Sequence, residues 1–350
     1  MIRKVKVKGV KKPYDIIIGK DILNIIPEKI KEITKAKNIV VITDDNVDKF
    51  HSENIMNMLK DNGFNAIKFV FNHGEENKTM KTICDILEFM AENNVTRSDL
   101  IIALGGGIVG DVSGYAASSY LRGIDFIQVP TSFLAAIDSS VGGKTGVNLK
   151  AGKNLAGAFY QPRLVVCDIK TFDTLPHENF TEGVSETIKY GVICDKEIFN
   201  LLLENETFDV ESVIERCVSI KAQIVSEDEF DTGRRQLLNF GHTIGHAIEK
   251  ATDFKITHGM AVGIGMAFIS HISDEMGWSK EITYPKVVKC LENHNIPISI
   301  DIETDELLST MVKDKKRMGD VINLVIPEEI GKCVLKSINV SELKEVLECR

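Results

Sequence analysis

Three histidines, His242, His246 and His258, carry the clearest chemical signal in this chain. They lie in Arg235-Gln-Leu-Leu-Asn239-Phe-Gly-His242-Thr-Ile-Gly-His246 and in Thr257-His258-Gly259-Met260. In a helix over 233–251, Arg235, Asn239, His242 and His246 recur at spacings of four, three and four, so they share one face. Leu237, Leu238, Ile244, Ala247 and Ile248 fill the remaining girth, which makes the polar stripe the lining of a cavity. Gly241 and Gly245 let another backbone or a ligand come close. Clustered imidazoles bind a metal or move protons.

Upstream, Glu182-Gly-Val-Ser-Glu186-Thr-Ile-Lys189 opens a further helical stretch. Glu186 with two of the histidines would form an oxygen-plus-two-imidazole set, and three protein ligands with an open position suit a catalytic zinc. The plain alternative is a surface ion pair between Glu186 and Lys189, which contributes little.

Two glycine-rich runs add an anion-binding signal. Gly105-Gly-Gly107-Ile108-Val109-Gly110-Asp111 follows a strand and fits G-x-G-x-x-G, where bare backbone N–H groups approach a pyrophosphate at a helix N-terminus. It stands later than the first β-α unit, where the dinucleotide fingerprint normally opens, and a tight turn is the alternative. The first unit ends in Thr43-Asp44-Asp45-Asn46, where a strand-end Asp can hold a ribose hydroxyl. Asp138-Ser-Ser-Val-Gly142-Gly143-Lys144-Thr145-Gly146 is not a P-loop, because Asp138 stands where that motif needs glycine. It still puts a carboxylate, two hydroxyls and a lysine on a flexible loop, with Lys150, Lys153 and Asn154 next, and reads as an anion site. Lys221, Lys315 and Lys316 are cations to which spacing gives no role; such residues usually sit on solvated faces.

The elements that must hold these groups change character along the chain. Apolar runs at 38–43, 64–71, 100–104, 126–130 and 164–168 read as strands, with helices at 46–62 and 78–93 among them. This β-α-β order implies a mostly parallel sheet covered on both faces. Beyond Pro176, amphipathic stretches at 178–194, 196–205, 209–227, 233–251, 258–277 and 283–294 dominate, with a small hairpin at 321–326 and 331–335. The expected organisation is a Rossmann-like α/β domain over 1–175 and a mainly α-helical domain over 176–350. The 350 residues suit two domains. A net charge of -9 argues against nucleic acid or an anionic membrane as the main partner. No apolar run is long enough to span a membrane. Seven scattered cysteines without a C-x-x-C favour reduced thiols and a cytoplasmic setting.

Together these segments resemble the 3-dehydroquinate synthases, NAD-dependent sugar-phosphate cyclases. The resemblance rests on GGGIVGD at 105–111, YLRGI at 120–124, DSSVGGKTGVN at 138–148, GKNLAGAF at 152–159, SETIKYG at 185–191, LNFGHTIGH at 238–246 and HG at 258–259. It implies a dehydroquinate synthase-like fold and one divalent metal, Zn2+ or Co2+, on Glu186, His242 and His258. A His at the start of the 258–277 helix also has its neutral form favoured by the helix dipole. NAD+ would be held by Asp44, Asn46, Glu75, Lys78, Gly107, Ile108, Val109, Gly110, Asp111, Thr131, Ser132, Lys144, Lys153, Thr171, Phe172, Asp173 and Thr174.

The resemblance further implies a substrate bound by Arg122, Asp138, Lys144, Asn154, Lys189, Lys221, Arg235, Asn239, His246 and Lys316 (or Lys315). Catalytic roles would fall to His246, Asp138, Lys144 and Lys189. Arg122 would reach in from a second subunit, which implies a homodimer. The implied reaction turns 3-deoxy-D-arabino-heptulosonate 7-phosphate into 3-dehydroquinate and phosphate, redox-neutral overall, in the shikimate route. His73 departs from the usual Asp, and Val184-Ser185 from the usual Met-Ala; neither removes a charge from the chemistry. Two alternatives stay open: a sister cyclase acting on a sugar phosphate without a carboxylate, and a polyol or glycerol-phosphate dehydrogenase of the same fold.

Overall fold

Strands that are buried on both faces must be apolar at every position, and this requirement organises the first part of the chain. The computed structural model describes residues 2–315 and 321–349. They divide into two units, 1–176 with 210–230, and 177–209 with 231–350.

The first unit begins with β1 (Arg3–Val7), β2 (Tyr14–Gly19) and α1 (Ile26–Ile33). It continues with β3 (Asn38–Asp44), α2 (Asp45–Val47), α3 (Glu53–Asp61), β4 (Asn65–Phe71) and α4 (Met80–Glu92). Then come β5 (Leu100–Gly105), α5 (Gly107–Ser119), β6 (Asp125–Pro130), β7 (Lys144–Leu149), β8 (Gly152–Phe159) and β9 (Leu164–Asp168). Seven strands form one sheet in the order β1-β2-β9-β6-β5-β3-β4, parallel except for the β1–β2 pair. Side chains alternate across it. Ile39, Val41, Leu100, Ile102 and Leu104 pack with Ile26 and Ile30 of α1 and Ile55 and Leu59 of α3. Val40, Ile42, Ile101 and Ala103 pack with Ile83 and Ile86 of α4 and Val109 and Val112 of α5. The period of two thus sends one helical layer to each face.

The second unit starts with α6 (His177–Cys194) and α7 (Lys196–Glu204). After α8 (Val210–Glu227), which belongs to the first unit, it resumes with α9 (His242–Ala251), α10 (His258–Glu275), α11 (Tyr284–Asn293) and α12 (Thr304–Lys315). The antiparallel hairpin β10 (Val321–Glu329) and β11 (Lys332–Asn339) and the short α13 (Leu343–Glu348) close it. Among the described residues no helix is long and apolar enough to cross a membrane, and all seven cysteines are free.

Three expectations need correction. The helix at 210–227 packs with the α/β unit instead of the helical one: Arg3 of β1 pairs with Glu215 at 2.5 Å and Glu211 at 3.9 Å. Its amphipathic pattern specified a buried face but not the partner. The single helix expected over 46–62 is interrupted by a π turn at Asp48–Ser52. The helix expected over 233–251 is broken: Arg234–Asn239 is a 3-10 segment, Phe240 is extended (ψ 126°), and Gly241 is left-handed (φ 77°) before α9 starts at His242.

Candidate active site

Helix α6 is buried around almost its whole girth from Thr181 to Ile193, yet carries Glu186 and Lys189 inside that stretch. Both side chains are essentially inaccessible, and their charges meet at 2.5 Å. This is the expected i,i+3 pair, but it is not the surface pair of the plain reading. Two imidazoles face the same carboxylate, with Nε2 of His242 and Nε2 of His258 each 3.3 Å from Glu186 Oε1.

The approach of those imidazoles depends on how α9 and α10 pack. A Cβ on Gly265 would lie 2.1 Å from the Gly241 carbonyl oxygen, and one on Gly245 would lie 3.0 Å from that of Ala261. Without side chains at these points the two backbones come together and the three rings triangulate. Ring centroids are 5.4 Å apart for His242–His246, 5.2 Å for His242–His258 and 5.8 Å for His246–His258. His242 is buried, His258 half-buried and His246 exposed.

Both nitrogens that face Glu186 belong to rings whose other nitrogen is engaged. His242 Nδ1 lies 3.1 Å from the Phe240 carbonyl oxygen, and His258 Nδ1 lies 3.2 Å from Glu249 Oε2. Neither oxygen of Glu186 makes a well-directed hydrogen bond. Burial would raise the Glu186 carboxyl, but Lys189 and His242 hold it well below the usual carboxylate range. Burial likewise works against a charge on His258, yet the Glu186 and Glu249 carboxylates beside it push it up to about 10. The helix dipole favours the neutral form of His258, and the two carboxylates act in the opposite direction.

In the first unit, most residues assigned to NAD+ lie at or after the carboxyl ends of parallel strands, while Lys144 and Lys153 lie on the antiparallel β7–β8 pair. Asp44 ends β3 and Asn46 follows it, Glu75 and Lys78 come after β4, Gly107 to Asp111 after β5, Thr131 and Ser132 after β6, and Thr171 to Thr174 after β9. β3 and β5 are neighbours, but the chain first goes out to β4 and returns, so a topological switch point lies between Asp44 and Gly107. Asp44 Oδ1 caps α2 by accepting from the N–H groups of Asn46 and Val47. The Gly106 cap of α5 offers no side chain, leaving that helix start open to an anion.

Residues expected to bind substrate are found in both units. The run at 138–146 is only partly a loop: Asp138 sits on a π turn (Ala135–Ser139), Lys144 starts β7, and Lys153 and Asn154 lie on β8. Lys78 is buried and donates to Asp111 Oδ2 and to Asn154 Oδ1, each at 2.6 Å, so a cofactor candidate and a substrate candidate share one lysine. Burial lifts the Asp111 carboxyl above its ordinary range while Lys78 pulls it down. Lys221 is not on a solvated face; it is buried and donates to the Asp138 carboxylate and, at 2.7 Å, to the Asp138 carbonyl. Arg122 is exposed with a left-handed backbone (φ 67°).

In the second unit Arg235 is buried, and Asn239 and His246 are exposed. Because the helix breaks at Phe240–Gly241, Arg235 and Asn239 do not continue the histidine face. Lys316 lies outside the described residues. Glu249 was not anticipated. It is 3% exposed and lies seven positions after His242 and three after His246, on their face of α9. That spacing was the available signal, but a glutamate near a helix end usually reads as solvated.

Residues 68–182 match the 3-dehydroquinate synthase N-terminal family, and residues 183–317 match the 3-dehydroquinate synthase C-terminal family. The chain belongs to the 3-dehydroquinate synthase family. One relative, 3-dehydroquinate synthase of Clostridium acetobutylicum, is 45% identical over 341 residues, covering 95% of this chain and 96% of that protein. A solved structure of 2-deoxy-scyllo-inosose synthase, complexed with carbaglucose-6-phosphate, NAD+ and Co2+, superposes with a TM-score of 0.88 at 27% identity, covering 99% of each chain. An iron-containing alcohol dehydrogenase from Thermotoga maritima reaches a TM-score of 0.65 at 15% identity, covering 97% of this chain and 98% of that one. That last likeness is one of fold alone. The 3-dehydroquinate synthase resemblance carried by the motifs therefore holds over nearly the whole chain.

Proposed function

We propose that this chain is a 3-dehydroquinate synthase, converting 3-deoxy-D-arabino-heptulosonate 7-phosphate to 3-dehydroquinate and inorganic phosphate. The reading is that of a phosphate-eliminating lyase of the shikimate route, working as a homodimer in the cytoplasm. Within a family of this name, the observation that carries it is the buried Glu186 carboxylate facing Nε2 of both His242 and His258. One carboxylate oxygen and two imidazoles, mutually close, form a donor set suited to Zn2+ or Co2+. The relative solved with NAD+ and Co2+ supports the same pair of cofactors here. When bound, the metal supplies Lewis-acid polarisation of a substrate oxygen, and NAD+ supplies a reversible hydride acceptor.

The chain's own residues then have distinct tasks. The open start of α5 at Gly107 to Asp111 receives the pyrophosphate, and Asp44 takes a ribose hydroxyl. Glu75, Lys78, Thr131, Ser132, Lys153 and Thr171 to Thr174 complete the cofactor set in the first unit. A doubly anionic substrate calls for cations and amides, and the candidates are Arg122, Lys144, Asn154, Lys189, Lys221, Arg235, Asn239 and Lys316. Asp138 holds the Lys221 ammonium in place. His246 is exposed beside the two ligand imidazoles, so it can carry a proton to or from substrate without giving up a metal bond.

Phosphate release from 3-deoxy-D-arabino-heptulosonate 7-phosphate, with trace NAD+ and zinc and absorbance followed at 340 nm, tests the reading. Release that a chelator blocks, without accumulating NADH, is the expected result. No release, with NADH rising on a polyol or glycerol phosphate, would make the chain a dehydrogenase; release only from a sugar phosphate lacking a carboxylate would make it a sister cyclase.

A further inference from the structure

Glu249 is a buried carboxylate on the polar face of α9, and a charge so placed needs partners that justify its desolvation. One partner is His258, whose Nδ1 is 3.2 Å from Glu249 Oε2 while its Nε2 is 3.3 Å from Glu186 Oε1. The imidazole is thus held between two carboxylates, one on each nitrogen. His242 shows the same orientation with a weaker outer partner, the Phe240 carbonyl at 3.1 Å from Nδ1. Both rings therefore commit Nδ1 outward and Nε2 toward Glu186. They differ in that His258 alone is held by a full negative charge.

We infer that Glu249 is a positioning residue for the metal centre: it accepts the Nδ1 proton of His258, fixes the tautomer that presents a bare Nε2, and strengthens that nitrogen as a donor. Carboxylate–histidine–metal arrangements work in this way, and loss of the outer carboxylate typically lowers metal affinity about 10–100-fold. The inference rests on the metal reading of Glu186, His242 and His258. The same neighbourhood has a competing interpretation, because His246, Glu249 and His258 also lie close enough together to form a second cation position.

Zinc affinity and stoichiometry, measured by competition with a chromophoric chelator on the full chain, separate these readings. Wild type is expected to bind one zinc, Glu249→Ala to bind one zinc about 10–100-fold more weakly, and Glu249→Gln to fall between, since its amide oxygen still accepts the Nδ1 proton. Circular dichroism of the metal-free variants establishes that they fold. If Glu249→Ala does not fold, Glu249→Gln decides, with a several-fold loss expected. Wild-type affinity in the folded variants would overturn the inference. So would a wild type that binds two zincs and loses one on Glu249→Ala, which would make Glu249 a ligand of its own ion. A wild type that binds no zinc would instead remove the metal reading itself, and that failure is distinguishable because it appears before any Glu249 variant is made.

Discussion

Two ion pairs in this chain have the same helical spacing and different surroundings. Lys29 and Glu32 on α1 are three residues apart, meet at 2.8 Å and are both open to water. Glu186 and Lys189 on α6 are also three apart, meet at 2.5 Å and are shut off from water. On the surface the solvent already stabilises each charge, so the pair adds little. In the interior each charge relies on nearby opposite charge in place of water, so removing one member of the pair is costly. Spacing makes both pairs possible; burial gives only one of them consequences. Buried charges are also arranged differently in the two units: Lys78–Asp111 and Lys221–Asp138 are separate pairs, whereas Lys189, His242 and His258 all face the single carboxylate of Glu186.

The largest effect is expected where that dependence is greatest. Glu186→Gln takes from the buried Lys189 ammonium the carboxylate it meets at 2.5 Å and removes the common partner of His242 and His258. It should abolish zinc binding and turnover together and cost about 3–5 kcal/mol in urea unfolding. A variant that still binds zinc like wild type would sink the ligand assignment.

Two glycines sharpen the comparison between units. Gly241 (φ +77°) would bring a Cβ within 2.7 Å of the Val262 carbonyl oxygen, whereas Gly63 (φ +87°) has nothing within 4 Å. Both substitutions with alanine incur left-handed strain of about 1 kcal/mol. Gly241→Ala must also push α9 from α10, so it should lose about 2–3 kcal/mol or more and weaken zinc binding. Gly63→Ala should cost only the strain and leave zinc titration unchanged. Equal losses in the two variants would mean that close helix approach does not set the histidine geometry.

A smaller, pH-dependent effect belongs to the α/β unit. Asp99 is buried and accepts from the backbone and side chains of Asn38 and Thr96, tying the start of β3 to that of β5. Burial alone would raise its carboxyl, but those donors hold it below the usual range. A depressed folded-state value means that the stabilisation is present above the unfolded value, about 3.9, and disappears as pH falls through the folded one. Asp99→Asn should therefore cost about 1–2 kcal/mol at pH 7, and the gap to wild type should close on acidification below about pH 4. A gap independent of pH would show that packing, not charge, accounts for the loss. At the bottom of the scale, Lys29→Ala should leave the thermal midpoint unchanged, and a clear drop would undo the contrast between the two pairs.

Much of this protein was legible because certain physical signals are local. Uninterrupted apolar runs such as 38–43 and 100–104 announced a buried parallel sheet, and glycine after a strand marked the start of α5. The break at Phe240–Gly241 was not legible, since an isolated glycine in a helical pattern is tolerated and only its positive φ reveals the stop. Neither was the membership of 210–227 in the α/β unit: an amphipathic helix declares which face is apolar and is silent on what covers it. Glu249 went unread for a related reason. A glutamate late in a short helix reads as solvated until a second helix closes over it.

The sequence by itself determined the β-α-β order from residue 38 to 130, the helical character beyond Pro176, the candidate ligand types and the family motifs, because these follow from residue identity and short-range periodicity. Only the tertiary structure decided which histidine nitrogens face Glu186, that the Glu186–Lys189 pair is dry, that Lys221 belongs with Asp138, and that Glu249 backs His258. Each of these depends on the dielectric surroundings and on contacts between residues distant in the chain, which no local pattern encodes.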